Sequence, residues 1–151
     1  MLRRRRPGEQ GADLTHQPSN PIIPNKSRTS SQGGSLAGQV AHSADTVEWF
    51  MAGAFGDGWD LDFDASVAKA KAVTSLSEAT EWFNRAFADA IATIHAQSDE
   101  QLQAPLEDTR IMGAAPRLSV VSGIVDHTAH HRGSLAVYAR LLGKVPLMPY
   151  S

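Results

Sequence analysis

Proline is the residue that most limits where helices can run in this chain. It lacks an amide donor, and its ring clashes with the preceding turn. Its eight occurrences fall at Pro7, Pro18, Pro21, Pro24, Pro105, Pro116, Pro146 and Pro149. Three long proline-free stretches carry apolar residues at helical spacing. The first runs from Leu36 to Ala54, with Ser35 as its N-cap and Leu36, Val40, Val47, Phe50, Met51 and Ala54 as its stripe. Gly56-Asp57-Gly58 stops it. The second runs from about Ser75 to Ala96, opened by the capping-box pair Ser75 and Glu78. Its stripe is Leu76, Ala79, Phe83, Phe87, Ala90, Ile91 and Ile94, with Trp82 beside it. The third runs from Pro116, a favoured first-turn residue, to Leu142, with Gly143 as its stop. A shorter helical piece is expected at Ala65–Ala72. Ser98–Ala115 is expected to be irregular, with a short extended segment from Leu106 to Met112. Asp57, Asp60, Asp62 and Asp64 lack the spacing of an EF-hand and read as an acidic loop with two or three aromatic anchors.

Residues 1–34 have a different character. Pro7, Gly8, Gly11, Pro18, Pro21, Pro24, Gly33 and Gly34 interrupt every helical window, and Ser and Thr fill much of Ser27–Ser31. Such a segment cannot bury enough apolar surface to offset its ordering entropy, so it is expected to be disordered. It holds six Lys/Arg against two acids, whereas residues 35–151 hold eight against fourteen. An acidic body argues against nucleic acid as a partner. Of the 151 residues, 42% are apolar, enough for one domain with a core, expected over 35–151. No apolar run approaches the roughly 18 residues that cross a bilayer, and no apolar stretch follows Arg3–Arg6 as a signal peptide requires. No membrane association and a cytoplasmic location are therefore expected. There is no cysteine, so any metal must be held by histidine and carboxylate, ligands that suit zinc, nickel or iron.

The chemistry concentrates in His127-Thr128-Ala129-His130-His131. His127 and His131 are four apart, on one helical face. Val120, Ile124, His127, His131, Leu135, Tyr138 and Leu142 follow one another at steps of three or four, so both imidazoles interrupt an apolar stripe at its centre. A buried imidazole needs a partner. A shared metal supplies one, and ordinary hydrogen bonding supplies another. A third ligand has to come from elsewhere. His16 lies in the proline-rich segment and His95 at a helix end, which leaves His42 as the best candidate. Asp45, on the same face as His42, could support a ligand or accept a proton, and Asp45 or Glu48 could serve as a base. His130 reads as a flanking residue.

Two segments, VAHSADTVEWF around His42 and HTAHHRGSLAVYARLLGKVPLMPY from His127 to Tyr150, resemble the DinB / YfiT-like metal-binding family. The likeness covers about residues 35–150. It implies an all-α, up-down-down-up four-helix bundle with a divalent metal on His42, His127 and His131. It further implies an enzyme, either a metal-dependent hydrolase or a transferase using a low-molecular-weight thiol, acting on a small molecule. A non-catalytic metal-binding stress-response module is the alternative. The chain departs from the family in ending Pro146-Leu147 and Tyr150-Ser151, where adjacent prolines and Tyr-Gly are usual. Nothing in residues 1–34 reads as the family's first helix, which is therefore expected to be missing or degenerate. The resulting open apolar side points to a homodimer.

Overall fold

A computed structural model describes residues 35–147. The readings of residues 1–34 and of Tyr150 lie outside them. The described residues form five helices, α1 (Leu36–Phe55), α2 (Phe63–Ala72), α3 (Leu76–His95), α4 (Asp99–Gln103) and α5 (Ser119–Leu141), and no strand. The all-α expectation holds.

Helix α1 is the hub. It begins where Ser35 Oγ accepts the amide of Gly38 at 3.0 Å, satisfying one of the free first-turn donors. Its buried residues are small on several sides, among them Ala37, Gly38, Ala41, Ser43 and Ala44, so α2, α3 and α5 all approach closely. Ala79 of α3 packs with Ala37 and Ala41, and Ala86 and Ala90 pack with Ala44 and Val47. The two helices thus run parallel. Phe50 lies against Gly123, and His42 against His127, which makes α5 antiparallel to α1. This is the down-down-up part of the expected bundle. A parallel helix pair needs a return connection, and α2 provides it: Ser66 meets Asp45, and Ala70 sits beside Ala37 and Ala41. Helices α3 and α5 share no extensive interface of their own.

Two expectations are corrected between α3 and α5. Ser98–Gln103 is a helical turn, because Ser98 and Gln101 form a reciprocal capping box that stabilises it before Pro105. Leu106–Met112 is a turn. Its Arg110 folds back on Asp108 and on the carbonyl of Trp59, the latter at 2.9 Å. Helix α5 starts three residues after Pro116, since the amides of Arg117 and Leu118 are donated to Ala104 and Leu102 at 2.9 and 3.0 Å. Gly143, at φ +74°, ends it as expected.

The acidic loop is anchored by one buried aromatic rather than the two or three expected, since Phe63 is exposed. Trp59 is 3% exposed, inserted above Gly53, where a Cβ would collide with the indole. Its indole N–H donates to the Asp108 carbonyl at 2.8 Å and its amide to Asp108 Oδ2 at 3.0 Å. Hydrogen bonds from Arg110 hold the Asp108 carboxyl well below its usual range. The neighbouring acids serve the start of α2. Asp62 caps it by accepting the Ala65 amide at 2.9 Å, and Asp60 accepts the Asp62 amide at 2.9 Å.

Candidate metal centre

The joint between α1 and α5 decides where the histidines meet. Gly123 lies one turn before His127, and a Cβ there would sit 2.6 Å from Cε1 and Cζ of Phe50. The bare backbone lets the Phe50 ring nest against α5 and fixes how closely the two helices approach. His42 is then carried to the His127–His131 pair.

The three rings converge. Their centroids are 5.1 Å apart for His42 and His127, 5.0 Å for His42 and His131, and 4.5 Å for His127 and His131. One nitrogen from each lies within 4.8 Å of the other two. Nε2 of His127 and Nε2 of His131 are 3.3 Å apart. Two nitrogens bound tetrahedrally at about 2.0–2.1 Å, as in zinc sites, are separated by about 3.3–3.4 Å. The pair is spaced as a metal would set it.

Electrostatics favour neutral rings. Burial, then the charges of His131, His42 and His130, lower the pKa of His127 to about 4. Burial, then His42 and His130, also lower that of His131. Neutral imidazole is the ligating form, so His127 and His131 are ready for a cation near neutral pH. Direct hydrogen bonding satisfies the group less well. One Nε2–H can donate to the other ring, but Nδ1 of both His127 and His131 is buried and has no hydrogen-bond partner. The donor set fits a borderline divalent ion. Among the described residues, however, no outer acceptor of the kind that usually fixes such rings meets Nδ1 of His127 or His131.

All three expected ligands are therefore brought together. His95 is exposed at the end of α3, and His16 lies outside the described residues. The His130 ring stacks edgewise on His131 at 5.1 Å, as a flank. Asp45 differs from expectation. Its carboxylate takes the Ser66 hydroxyl on one oxygen and Lys69 Nζ at 2.7 Å on the other, so it fastens α2 to α1 and supports no histidine.

The cluster borders a cavity of about 640 Å³, lined by His42 and His127 on one side and by Trp49, Phe50 and Phe63 on another. Asp45, Glu48, Asp60, Asp62 and Lys69 complete much of its polar wall. Burial works against the charge of Lys69. Even so, the hydrogen bond and charge of Asp45, with Glu48 behind, raise its pKa. Glu48 also accepts the Trp82 indole N–H at 2.6 Å, and Lys69 lies 4.5 Å from the centre of that ring.

The sequence profile of the DinB family matches residues 23–151, most of the chain. The chain belongs to the DinB family. No curated protein and no solved structure matches it. The likeness carried by the His42 and His127–Tyr150 segments is thereby established, and this DinB-family chain presents its three histidines as a cluster that could hold a metal. The α2 wall of the cavity was not foreseen. Its only trace in the sequence is a matched spacing, Asp45 and Glu48 three apart on α1 and Ser66 and Lys69 three apart on α2.

Proposed function

We propose that this DinB-family protein is a metal-dependent enzyme, a hydrolase or a low-molecular-weight-thiol transferase, with zinc, nickel or iron on His42, His127 and His131. The observation that carries this reading is the cavity against the histidines. A metal that only joins helices has a closed site, whereas a catalytic one keeps a position open to substrate. At about 640 Å³, mostly apolar in lining, the space is of the size that encloses a small organic molecule. A bound ion would supply Lewis acidity and a water or thiol acidified towards neutrality. The chain's own residues supply the rest. Trp49, Phe50 and Phe63 exclude water from the substrate, and Glu48, on the cavity wall and bonded to Trp82 and Lys69, is the base in this reading.

Elemental analysis of purified wild type, His42→Ala and His127→Ala, paired with assays of model ester hydrolysis and of thiol conjugation, tests the reading. One divalent ion per chain in wild type, lost from both variants together with activity, is the expected result. Equal trace metal in all three would refute it. Metal without turnover in either assay, with a melting temperature that falls when metal is removed, would favour the non-catalytic stress-response module. No helix among the described residues is long and apolar enough to cross a membrane. Ile91 of α3 and Val125 of α5 are 55% and 62% exposed, and such apolar exposure supports a homodimer.

A further inference from the structure

The cavity wall has a chemistry that the three histidines do not explain. Phe63, at the start of α2, is 56% exposed and lines the cavity, so its ring is open to a ligand there. Its ring centre is 6.1 Å from that of Trp49, with the planes inclined at 59°. The Trp49 indole is itself held in place by its N–H, which donates to the Asp60 carbonyl at 2.7 Å. Asp60 and Asp62 line the same cavity. Each uses Oδ1 on a backbone amide, and among the described residues no hydrogen bond engages Oδ2. Alone, these carboxylates would be ordinary solvated turn residues. Beside the exposed Phe63 ring and the half-buried Trp49 indole they form a different surface, because ring faces and carboxylates attract the same species, an organic cation. Lys69, the only Lys or Arg among the lining residues, shows the same pairing of carboxylate and ring around an ammonium at the neighbouring part of the cavity. It is held by Asp45 at 2.7 Å and Glu48 at 3.4 Å and lies over the Trp82 ring.

We propose that the cavity selects small organic ammonium compounds, with the cationic head against Trp49, Phe63, Asp60 and Asp62 and the apolar body directed towards the histidines. This names the substrate class of the enzyme proposed above and rests on that reading for its catalytic meaning. The orientation follows from charge. A divalent ion on the histidines would repel an ammonium beside it, so the head belongs on the acidic side.

Three probes of one shape and different charge test the idea: 3-phenylpropylamine, 3-phenylpropan-1-ol and 3-phenylpropionate. Their binding to the full chain is measured by calorimetry, in metal-loaded wild type and in His131→Ala. His131 does not line the cavity, so its loss leaves the wall intact while removing a ligand. The amine should bind about tenfold more tightly than the alcohol, the scale expected of two exposed carboxylates acting with an aromatic face. The carboxylate should bind more weakly than either in His131→Ala. In a combined Asp60→Asn, Asp62→Asn variant, which keeps both amide-accepting oxygens, the preference for the amine should shrink to within about twofold. Phe63→Ala should weaken the amine and the alcohol alike. Equal binding of the three probes, tighter binding of the carboxylate in His131→Ala, or no binding of any would overturn the proposal. Selectivity in a wild type that takes up no metal would leave the ammonium slot standing and remove the metal enzyme instead.

Discussion

Replacing Gly123 with alanine places a methyl group where Phe50 already lies. The added carbon would stand 2.6 Å from two atoms of that ring, whereas carbon atoms rest at about 3.5 Å or more. About 0.9 Å must therefore be found. Phe50 cannot easily provide it, since Trp49 and Trp59 flank its ring at centroid distances of 5.1 and 6.0 Å. The remaining route is separation of α5 from α1, and that separation moves His127, one turn away, relative to His42. A metal site tolerates displacements of about 0.5 Å. Metal affinity should therefore drop on the order of ten- to hundredfold, the scale seen when ligand positioning is lost. Global stability should change much less, because overpacking costs about 1–3 kcal/mol while alanine gains about 1 kcal/mol over glycine within a helix. The assay is competition for zinc against a chromophoric chelator, beside thermal melts of the metal-free protein. A Phe50→Leu change in the Gly123→Ala background should recover part of the affinity. Wild-type zinc affinity in Gly123→Ala would refute the reasoning, as would a loss of affinity that merely tracks a large loss of fold.

The metal-free protein should lose stability on acidification. His127 titrates near 4 when folded and near 6.5 when unfolded, so the unfolded chain binds more protons between those values and stability falls as the pH drops through that window. Melting temperatures recorded from pH 7 to pH 4 check this, and the same series with His127→Ala should be flatter. Trp59→Ala should reduce unfolding free energy by about 3–5 kcal/mol, read by urea denaturation, because a side chain only 3% exposed leaves a hole that Asp108 and Arg110 cannot fill. Light scattering at micromolar concentration should return the mass of a dimer. A monomer there would contradict the pairing inferred from the exposed apolar surfaces of α3 and α5.

The three long helices were legible because proline spacing, the caps at Ser35 and Ser75, and Gly143 all act within a few residues of the structure they determine. The histidine pair was legible for the same reason, since a spacing of four fixes a common face. His42 came from its patterning and from the family likeness, which stood in for tertiary information. What stayed hidden depended on contacts between distant residues. The start of α5 moved because Arg117 and Leu118 give their amides to Ala104 and Leu102. The role of Asp45 changed because Ser66 and Lys69 come to it from α2. Helix α4 was missed for another reason. It is five residues long and too short for any apolar period, although the Ser98 and Gln101 pair was there to be read.

Helix α5 is joined to the other long helices almost entirely through α1, and it bears two of the three imidazoles, while α1 bears the third. An ion shared among them would act as a rivet across that single seam. Stripping the ion should therefore be felt first as faster amide exchange along α5, with α1 and α3 still protected. In such a protein metal supply would govern how firmly one helix is seated before it governed whether the chain folds.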